Sequence, residues 1–417
     1  MTPPKPPAPG TGWTAERVTA LFTRLAEHIP AAQELRHRIH AEPRVSGDEQ
    51  DTTDLIVKAL GLPATPVAET GALVRIGDPD GPAVGIRAEL DALPVHESSE
   101  VGWRSVNDAM HACGHDVHMA AAYAVARTLE EMGGPLPLLL VLQPREETLP
   151  SGAKDVVTSE QFQVHDVRAF VGLHVQPRLP AGCFSAIPGP VNAAADEFEI
   201  RVQGRPGHAA YPHLTADPVV AAADLIGTLQ HLISRQVDPT NPTVLTVGSI
   251  EGGNSPNVVP ACVTMKGILR TFDEHDRTRL HGSIEQAARA VAEVHGCDAG
   301  TSVTLGAPVL DNDTDLATAA AARIERAGFT QSSPLRSCGA DDFSYFCPVV
   351  PSLMVFLGVG SGEAGAPGLH HPGFLPGEEA VADAATTLLA AYLGACDTVL
   401  DLPDAETPLS PATRADE

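Results

Sequence analysis

The segment MHACGHDVH, residues 110–118, sets Cys113 two residues before His115, with His111 and His118 to either side. Thiolate and imidazole at this spacing suit Zn²⁺ or a neighbouring first-row metal. Gly114 between them lets the backbone bend so that both donors reach one point. A polar loop around one buried cysteine would have a similar composition, but so many histidines in so short a stretch favour a metal. A second segment, QPREE at 143–147, directly follows the apolar run Leu136–Leu142. Adjacent residues outside a helix point apart, so Glu146 and Glu147 could divide two tasks, one on a metal and one on a water. A Glu pair is usually a solvated loop; what marks this one is its place at the carboxyl end of a buried strand, where open α/β sheets bind ligands. His174 in GLHVQP closes the next strand, and His370 and His371 lie in the Gly/Pro-rich loop GLHHPGF. Glu89 and Asp91, in IRAELDALP, end another strand, where Asp91 could orient a metal ligand from behind. Singly each of these is as consistent with a structural residue. Together they converge on one set of donor types.

Such donors need a scaffold, and the chain alternates helix and strand. Trp13–His40 carries Val18, Leu21, Leu25 and Ile29 at helical spacing. Strands are expected at Ala72–Ile76, Val84–Leu90, Leu136–Leu142 and Arg168–Val175, with helices at Val117–Met132 and after Ser151. This order predicts an α/β fold with a mostly parallel sheet flanked by helices. The middle differs: alternating strands at Glu197–Val202 and Val263–Leu269 accompany long helices at Asp217–Arg235 and Glu274–Val294. It reads as an α+β domain at 191–306 inserted into a discontinuous domain of 13–190 and 307–400, which ends in a Glu378–Val399 helix. Residues 1–12 read as a disordered arm and 401–417 as a mobile tail.

Composition narrows the partners. The 417 residues suggest two or three domains. With 27 Lys+Arg against 53 Asp+Glu the net charge is −26, which argues against nucleic acid and anionic membranes as partners. The N-terminus has no apolar signal core and no apolar run is of membrane-spanning length. Seven scattered cysteines do not look like a disulfide framework and point to a reducing cytoplasm.

In order and spacing, LDALP, HACGHD, QP-x-EE, GLHV, GHAA-x-P, NVVP and LHHP make the chain resemble the dinuclear metal-dependent amidohydrolases. That family includes hippurate hydrolase, the N-acyl-L-amino-acid amidohydrolases and the indole-acetyl-amino-acid hydrolases, within the aminoacylase–carboxypeptidase superfamily. The resemblance implies a zinc-peptidase-like catalytic domain with an inserted lid and dimerisation domain, and a homodimer or higher homo-oligomer formed through the lid. It implies hydrolysis of an N-acyl or aryl-acyl amino acid to a carboxylic acid and a free amino acid. Two divalent ions (zinc, manganese, cobalt or nickel) would be held by Cys113, His115, Glu147, His174 and His370. Glu146 would be the general base that activates the water, and Asp91 falls on the family's supporting aspartate. His208 in GHAAYP and Asn257 in SPNVVP resemble the residues that polarise the scissile carbonyl, in dimeric relatives often from the partner subunit. Arg270 in ILRTFD resembles the anchor of the substrate carboxylate, a task suited to a guanidinium fork.

Other readings share parts of this set. A dipeptidase or carboxypeptidase would use every metal ligand, whereas a non-catalytic metal-dependent binding protein would have no need of Glu146. Close relatives usually carry Asp where Glu89 stands and a small residue where Arg145 stands, and TLPSGAK replaces a commoner Gly-rich stretch. These departures bear on substrate identity more than on reaction type.

Overall fold

The run LLLVLQ at Leu138–Gln143 is buried along its whole length and lies inside an eight-stranded sheet. A strand covered on both faces needs this unbroken apolar character. The computed structural model describes residues 13–363 and 365–400; the expected arm at 1–12 and tail at 401–417 lie outside them. The described chain divides into two compact units, one of residues 13–189, 311–335 and 345–400, the other of residues 190–310 and 336–344.

In the first unit the strand order is Thr65–Val67, Gly71–Ile76, Leu138–Gln143, Ala83–Glu89, Val167–Pro180, Ser352–Gly360, Cys183–Ser185 and Thr330–Gln331. The four central strands run parallel, and antiparallel pairings flank them. Alternate residues serve opposite faces. Val84, Ile86, Leu138, Leu140 and Leu142 join a core with the helices Ala15–Ala41, His115–Met132 and Glu379–Val399. Phe170 instead stacks on Phe346, with ring centroids 4.2 Å apart, and meets Phe162 of the short helix Glu160–Gln163 edge-on. The fold is α/β, with a mostly parallel central sheet flanked by helices.

Several boundaries differ from the sequence reading for local reasons. The strand expected from Leu136 starts at Leu138, after Pro137, which has no N–H for the ladder. The strand ending in His174 continues to Pro180. The helix expected from Val117 begins at His115, because Gly114 takes a left-handed conformation (φ 84°) at its N-cap. The helix Gln50–Leu60 was not foreseen; it stops at Gly61, also left-handed (φ 67°).

The second unit is a four-stranded antiparallel sheet in the order Thr243–Glu251, Cys262–Thr271, Ala194–Gln203, Asp298–Leu305. The helices Pro218–Gln236 and Glu274–Val294 share one core with it, built on Ile200, Met265, Leu229 and Leu280. Asp217 caps the first helix through the Val219 N–H (2.9 Å), and Asp273 caps the second through the Asp276 N–H (2.7 Å). The foreseen strands are the central pair. The edge strands are polar and half exposed, so their alternation is faint in the sequence.

Candidate metal centre

Two of the parallel strands end together, with Glu89 in register with Gln143, and in the neighbouring pair His174 is in register with Phe356. The turns beyond Glu89 and Gln143 carry Asp91, Glu146 and Glu147, whereas His174, expected to close its strand, lies inside Val167–Pro180. Cys113 and His115 enter through the turn at Gly114, where a Cβ would stand 2.5 Å from Val175 Cγ2. Both the positive φ and this close approach require glycine. His115 Nδ1–H donates to the Asp91 carbonyl (2.8 Å), and His174 Nδ1–H to the Val175 carbonyl (2.7 Å). Each ring therefore turns Nε2 towards the cluster, the arrangement by which a backbone acceptor fixes a metal-binding tautomer. His174 Nε2 lies 3.4 Å from Cys113 Sγ, and His115 Nε2 lies 3.8 Å from Glu146 Oε2.

The two adjacent glutamates, in a bend after the Leu138–Gln143 strand, diverge as expected of residues outside a helix. Glu146 faces His115, while Glu147 Oε1 lies 3.3 Å from His370 Nε2. The Glu147 N–H donates to Asp91 Oδ2 (2.9 Å), which also accepts from Ser46 Oγ (2.6 Å). Asp91 thus holds His115 by its main chain and Glu147 by its carboxylate. His370 sits at φ 64°, and its N–H donates to the Ala112 carbonyl (2.8 Å), tying its loop to the Cys113 segment. Three donor groups have ligand atoms within 4.8 Å of one another: Cys113, His115 and His174; Cys113, Glu147 and His370; His115, Glu146 and Glu147.

These groups fit divalent cations. His115 Nε2 is buried with no hydrogen-bond partner among the described residues, and such an atom is costly unless something occupies its lone pair. Sulfur, imidazole nitrogen and carboxylate oxygen together form a donor set for first-row metals. Burial, with the charges of Glu147 and Glu146, pushes the Cys113 thiol well above its ordinary range. Burial would raise Glu147 too, but His370 and His115 hold its carboxyl below the usual value. Burial opposes protonation of His115, and the acidic charges of Glu89, Asp91 and Glu147 outweigh it and raise its pKa.

A further group, Glu89, His115 and His118, is also close, but His118 has no lone pair to give. Its Nδ1 bonds Glu89 Oε2 (3.1 Å) and its Nε2 accepts the Val175 N–H (3.0 Å). It therefore anchors the strand that bears His174, while Glu89 also pairs with Arg87. Burial lowers the pKa of His111 to about 3, so its ring is neutral. His371 Nδ1 accepts the Gly373 N–H (3.0 Å) and shapes the turn after His370. Sequence reasoning missed Ser46 and a buried brace behind the helix start. In that brace Asp116 Oδ2 takes Arg36 Nε (2.8 Å) and His40 Nδ1 (3.0 Å), while Arg36 also donates to the Pro376 and Gly377 carbonyls. The available signal was Arg36 and His40, one helical turn apart on an apolar face.

The second unit holds the remaining candidates. His208 and Asn257 are neighbours on a two-stranded ribbon, Gly207–His208 against Val258–Val259, joined by the Ala209 N–H to the Asn257 carbonyl (3.0 Å). Both are exposed. His208 Nδ1 accepts the Ala210 N–H (3.1 Å), which leaves Nε2 as the outward donor, and Asn257 Oδ1 accepts Ser255 Oγ (2.6 Å). Arg270 stands apart from them on the four-stranded sheet, between Val244 and Ala195 in register. No ion pair or hydrogen bond of its guanidinium is found among the described residues.

Residues 85–394 match the family described as Peptidase family M20/M25/M40. The N-acetyl-L-cysteine deacetylase of Bacillus subtilis is 34% identical over 355 residues, covering 83% of this chain and 84% of that protein. The IAA-amino acid hydrolase ILR1-like 2 of Arabidopsis thaliana is 34% identical over 381 residues, covering 86% of this chain and 85% of that protein. Among solved structures, the Bacillus subtilis protein YXEP, described as a dinuclear metal binding peptidase, superposes with a TM-score of 0.76 at 28% identity, over 92% of this chain and 99% of that one.

Proposed function

The chain belongs to peptidase family M20/M25/M40 and is a hydrolase of amide bonds, and from that premise we propose that it cleaves N-acyl amino acids to a carboxylic acid and a free amino acid. One observation carries the reading: Glu146 stands beside the unpartnered Nε2 of His115, within a cluster of sulfur, nitrogen and oxygen donors. Cys113, His115 and His174 would hold one divalent ion, and Cys113, Glu147 and His370 a second. Zinc, manganese, cobalt and nickel all suit these donors. Bound ions supply Lewis acidity to the amide carbonyl and bring the pKa of water towards neutrality.

The chain's own residues do the rest. Glu146 takes a proton from the attacking water as its oxygen bonds to the carbonyl carbon. It returns that proton to the nitrogen as the C–N bond breaks. Asp91 holds the His115 ring and the Glu147 backbone in place through this cycle. His208 Nε2–H and the Asn257 amide serve as donors to the carbonyl oxygen while negative charge grows there. Arg270, with no side-chain partner among the described residues, binds the free carboxylate of the substrate.

Support for the acyl-amino-acid class comes from the two curated relatives, each named for an acylated amino acid. Seven free thiols support a reducing compartment, the cytoplasm, and no described helix is long and apolar enough to cross a membrane. We place homodimerisation, as in the resemblance, on the inserted unit.

The test is metal analysis of the purified protein followed by a panel of N-acetyl-, N-benzoyl- and indole-acetyl-amino acids beside dipeptides. Stoichiometric metal with cleavage of the acylated amino acids is the expected result. Absence of metal, with no activity restored by Zn²⁺, Mn²⁺, Co²⁺ or Ni²⁺, would sink the reading. Cleavage of dipeptides alone would replace it with a dipeptidase.

A further inference from the structure

Arg145 occupies a backbone conformation that side-chain-bearing residues avoid, φ 52°. Glycine would adopt it without strain, so the arginine side chain must contribute something glycine lacks. Its side chain is 12% exposed; the guanidinium lies 3.2 Å from Glu69 Oε2 through Nη1 and pairs with Asp155 through Nη2, both exposed carboxylates. These partners come from the turn before the Gly71–Ile76 strand and from the first turn of the helix Gly152–Thr158. The main chain of Arg145 is pinned as well. Its N–H donates to Glu49 Oε1 (2.9 Å), a buried carboxylate that also accepts from Thr70 Oγ1 (2.6 Å). Its carbonyl accepts the Gly152 N–H (3.1 Å). The loop closes tightly here, since a Cβ on Gly152 would fall 1.7 Å from the Pro144 carbonyl oxygen.

Resting on the amide-hydrolase reading above, we propose that Arg145 is a positioning residue. Its fork gathers two separate elements around the 143–152 loop and so sets the aim of Glu146 and Glu147. The two carboxylates that follow it diverge towards different histidines, Glu146 to His115 and Glu147 to His370. A rotation at residue 145 would swing both at once. An ion pair to an exposed carboxylate such as Glu69 is worth little by itself. A planar fork on a mostly covered side chain, joined to two carboxylates at once, restricts geometry in a way that a flexible ammonium does not. The arginine at this position therefore acts on the geometry of the Glu pair, beyond any effect on substrate choice.

The test compares the parent, Arg145→Gly, Arg145→Lys and the outer double variant Glu69→Gln/Asp155→Asn, which alters only the fork's partners. In metal-free protein, hydrogen exchange of the Glu147 and Gly152 amides should be about tenfold faster in Arg145→Gly. Co²⁺ titration, followed by the thiolate-to-cobalt absorption band of Cys113, should show affinity lower by about tenfold or more. Turnover of N-acetyl-amino acids should lose about tenfold in kcat with KM nearly unchanged. Arg145→Lys should recover part of each loss, and the double variant should shift each readout in the same direction as Arg145→Gly. Parental exchange and parental Co²⁺ affinity in both Arg145→Gly and the double variant would overturn the proposal. A parent that binds Co²⁺ but hydrolyses nothing would overturn the hydrolase reading instead, and exchange and affinity would still decide the role of Arg145.

Discussion

His115 and His208 are both candidate working histidines, held in opposite ways. The His115 ring is buried, fixed by a 2.8 Å bond to the Asp91 carbonyl, and set at the first residue of an eighteen-residue helix. His208 is exposed on a two-residue strand, with one 3.1 Å bond from its own turn. Around His115 the surrounding layer is dense: Asp91 bonds His115 and is itself held by Ser46, His118 bonds Glu89 and the Val175 N–H beside His174, and Arg36 and His40 bond Asp116, the residue after His115. Around His208 and Asn257 the hydrogen bonds are local turn contacts. A preorganised cluster keeps its geometry before any ligand arrives. An exposed ribbon with few contacts belongs to the low-stability end of a fold, from which moving functional segments are drawn.

The largest effect is expected at Glu146. Glu146→Gln keeps the shape of the side chain and removes the base, so turnover should fall by about 10²–10⁴-fold while metal content stays at the parental level. Near-normal turnover with metal bound would show that the base is elsewhere. The exposed region should respond next. His208→Ala and Asn257→Ala should each lose about 10²–10³-fold in kcat, with metal content and the unfolding midpoint unchanged because neither side chain is in a core. A shift in metal content would mean that the two regions are not separable as described.

What was legible in the sequence follows the same division. The buried cluster was readable because its residues are chemically unusual where they stand: a Cys-Gly-His turn, acids after an apolar strand, and a His in an apolar strand, which the structure places inside Val167–Pro180 and not at its end. The central parallel strands were readable because burial on two faces leaves an unbroken apolar run, as in Leu138–Leu142. The edge strands Thr243–Glu251 and Asp298–Leu305 were not, since half-exposed polar residues carry little alternation. Ser46, Glu49 and the Arg36–Asp116 pair stayed hidden because their role is created by contacts across long sequence separations. His208, Asn257 and Arg270 stood out only through family resemblance, because an exposed histidine on a turn has no local mark of function.

Alkaline pH should loosen the buried region and leave the ribbon alone. Burial opposes the charge on His40, but Asp116 and Glu97 outweigh it and raise its pKa to about 9. A folded value above the unfolded one means that the stabilisation is complete below pH 6.5 and is lost as pH rises through about 9. The shift corresponds to at most about 3 kcal/mol. Urea midpoints measured from pH 6.5 to 10.5 should fall for the parent, and His40→Gln should be less stable at pH 7 with a flatter profile. Parallel profiles for the two proteins would remove His40 as the cause.

The smallest effect sharpens the second region itself, since Arg270 lies on the four-stranded sheet whereas His208 and Asn257 lie on the ribbon. Arg270 is half buried and without a side-chain partner among the described residues, so its contribution to binding a carboxylate is partly screened by water. Arg270→Ala should raise KM for an N-acyl amino acid by about tenfold, near 1.4 kcal/mol. The same substitution should leave KM unchanged for the corresponding N-acyl amino acid amide, which has no carboxylate to lose. The kcat for both substrates should stay close to parental, because the contact is as strong in the ground state as in the transition state. Equal losses on both substrates would move Arg270 from carboxylate binding to support of the sheet, and a loss in kcat alone would group it with His208 and Asn257.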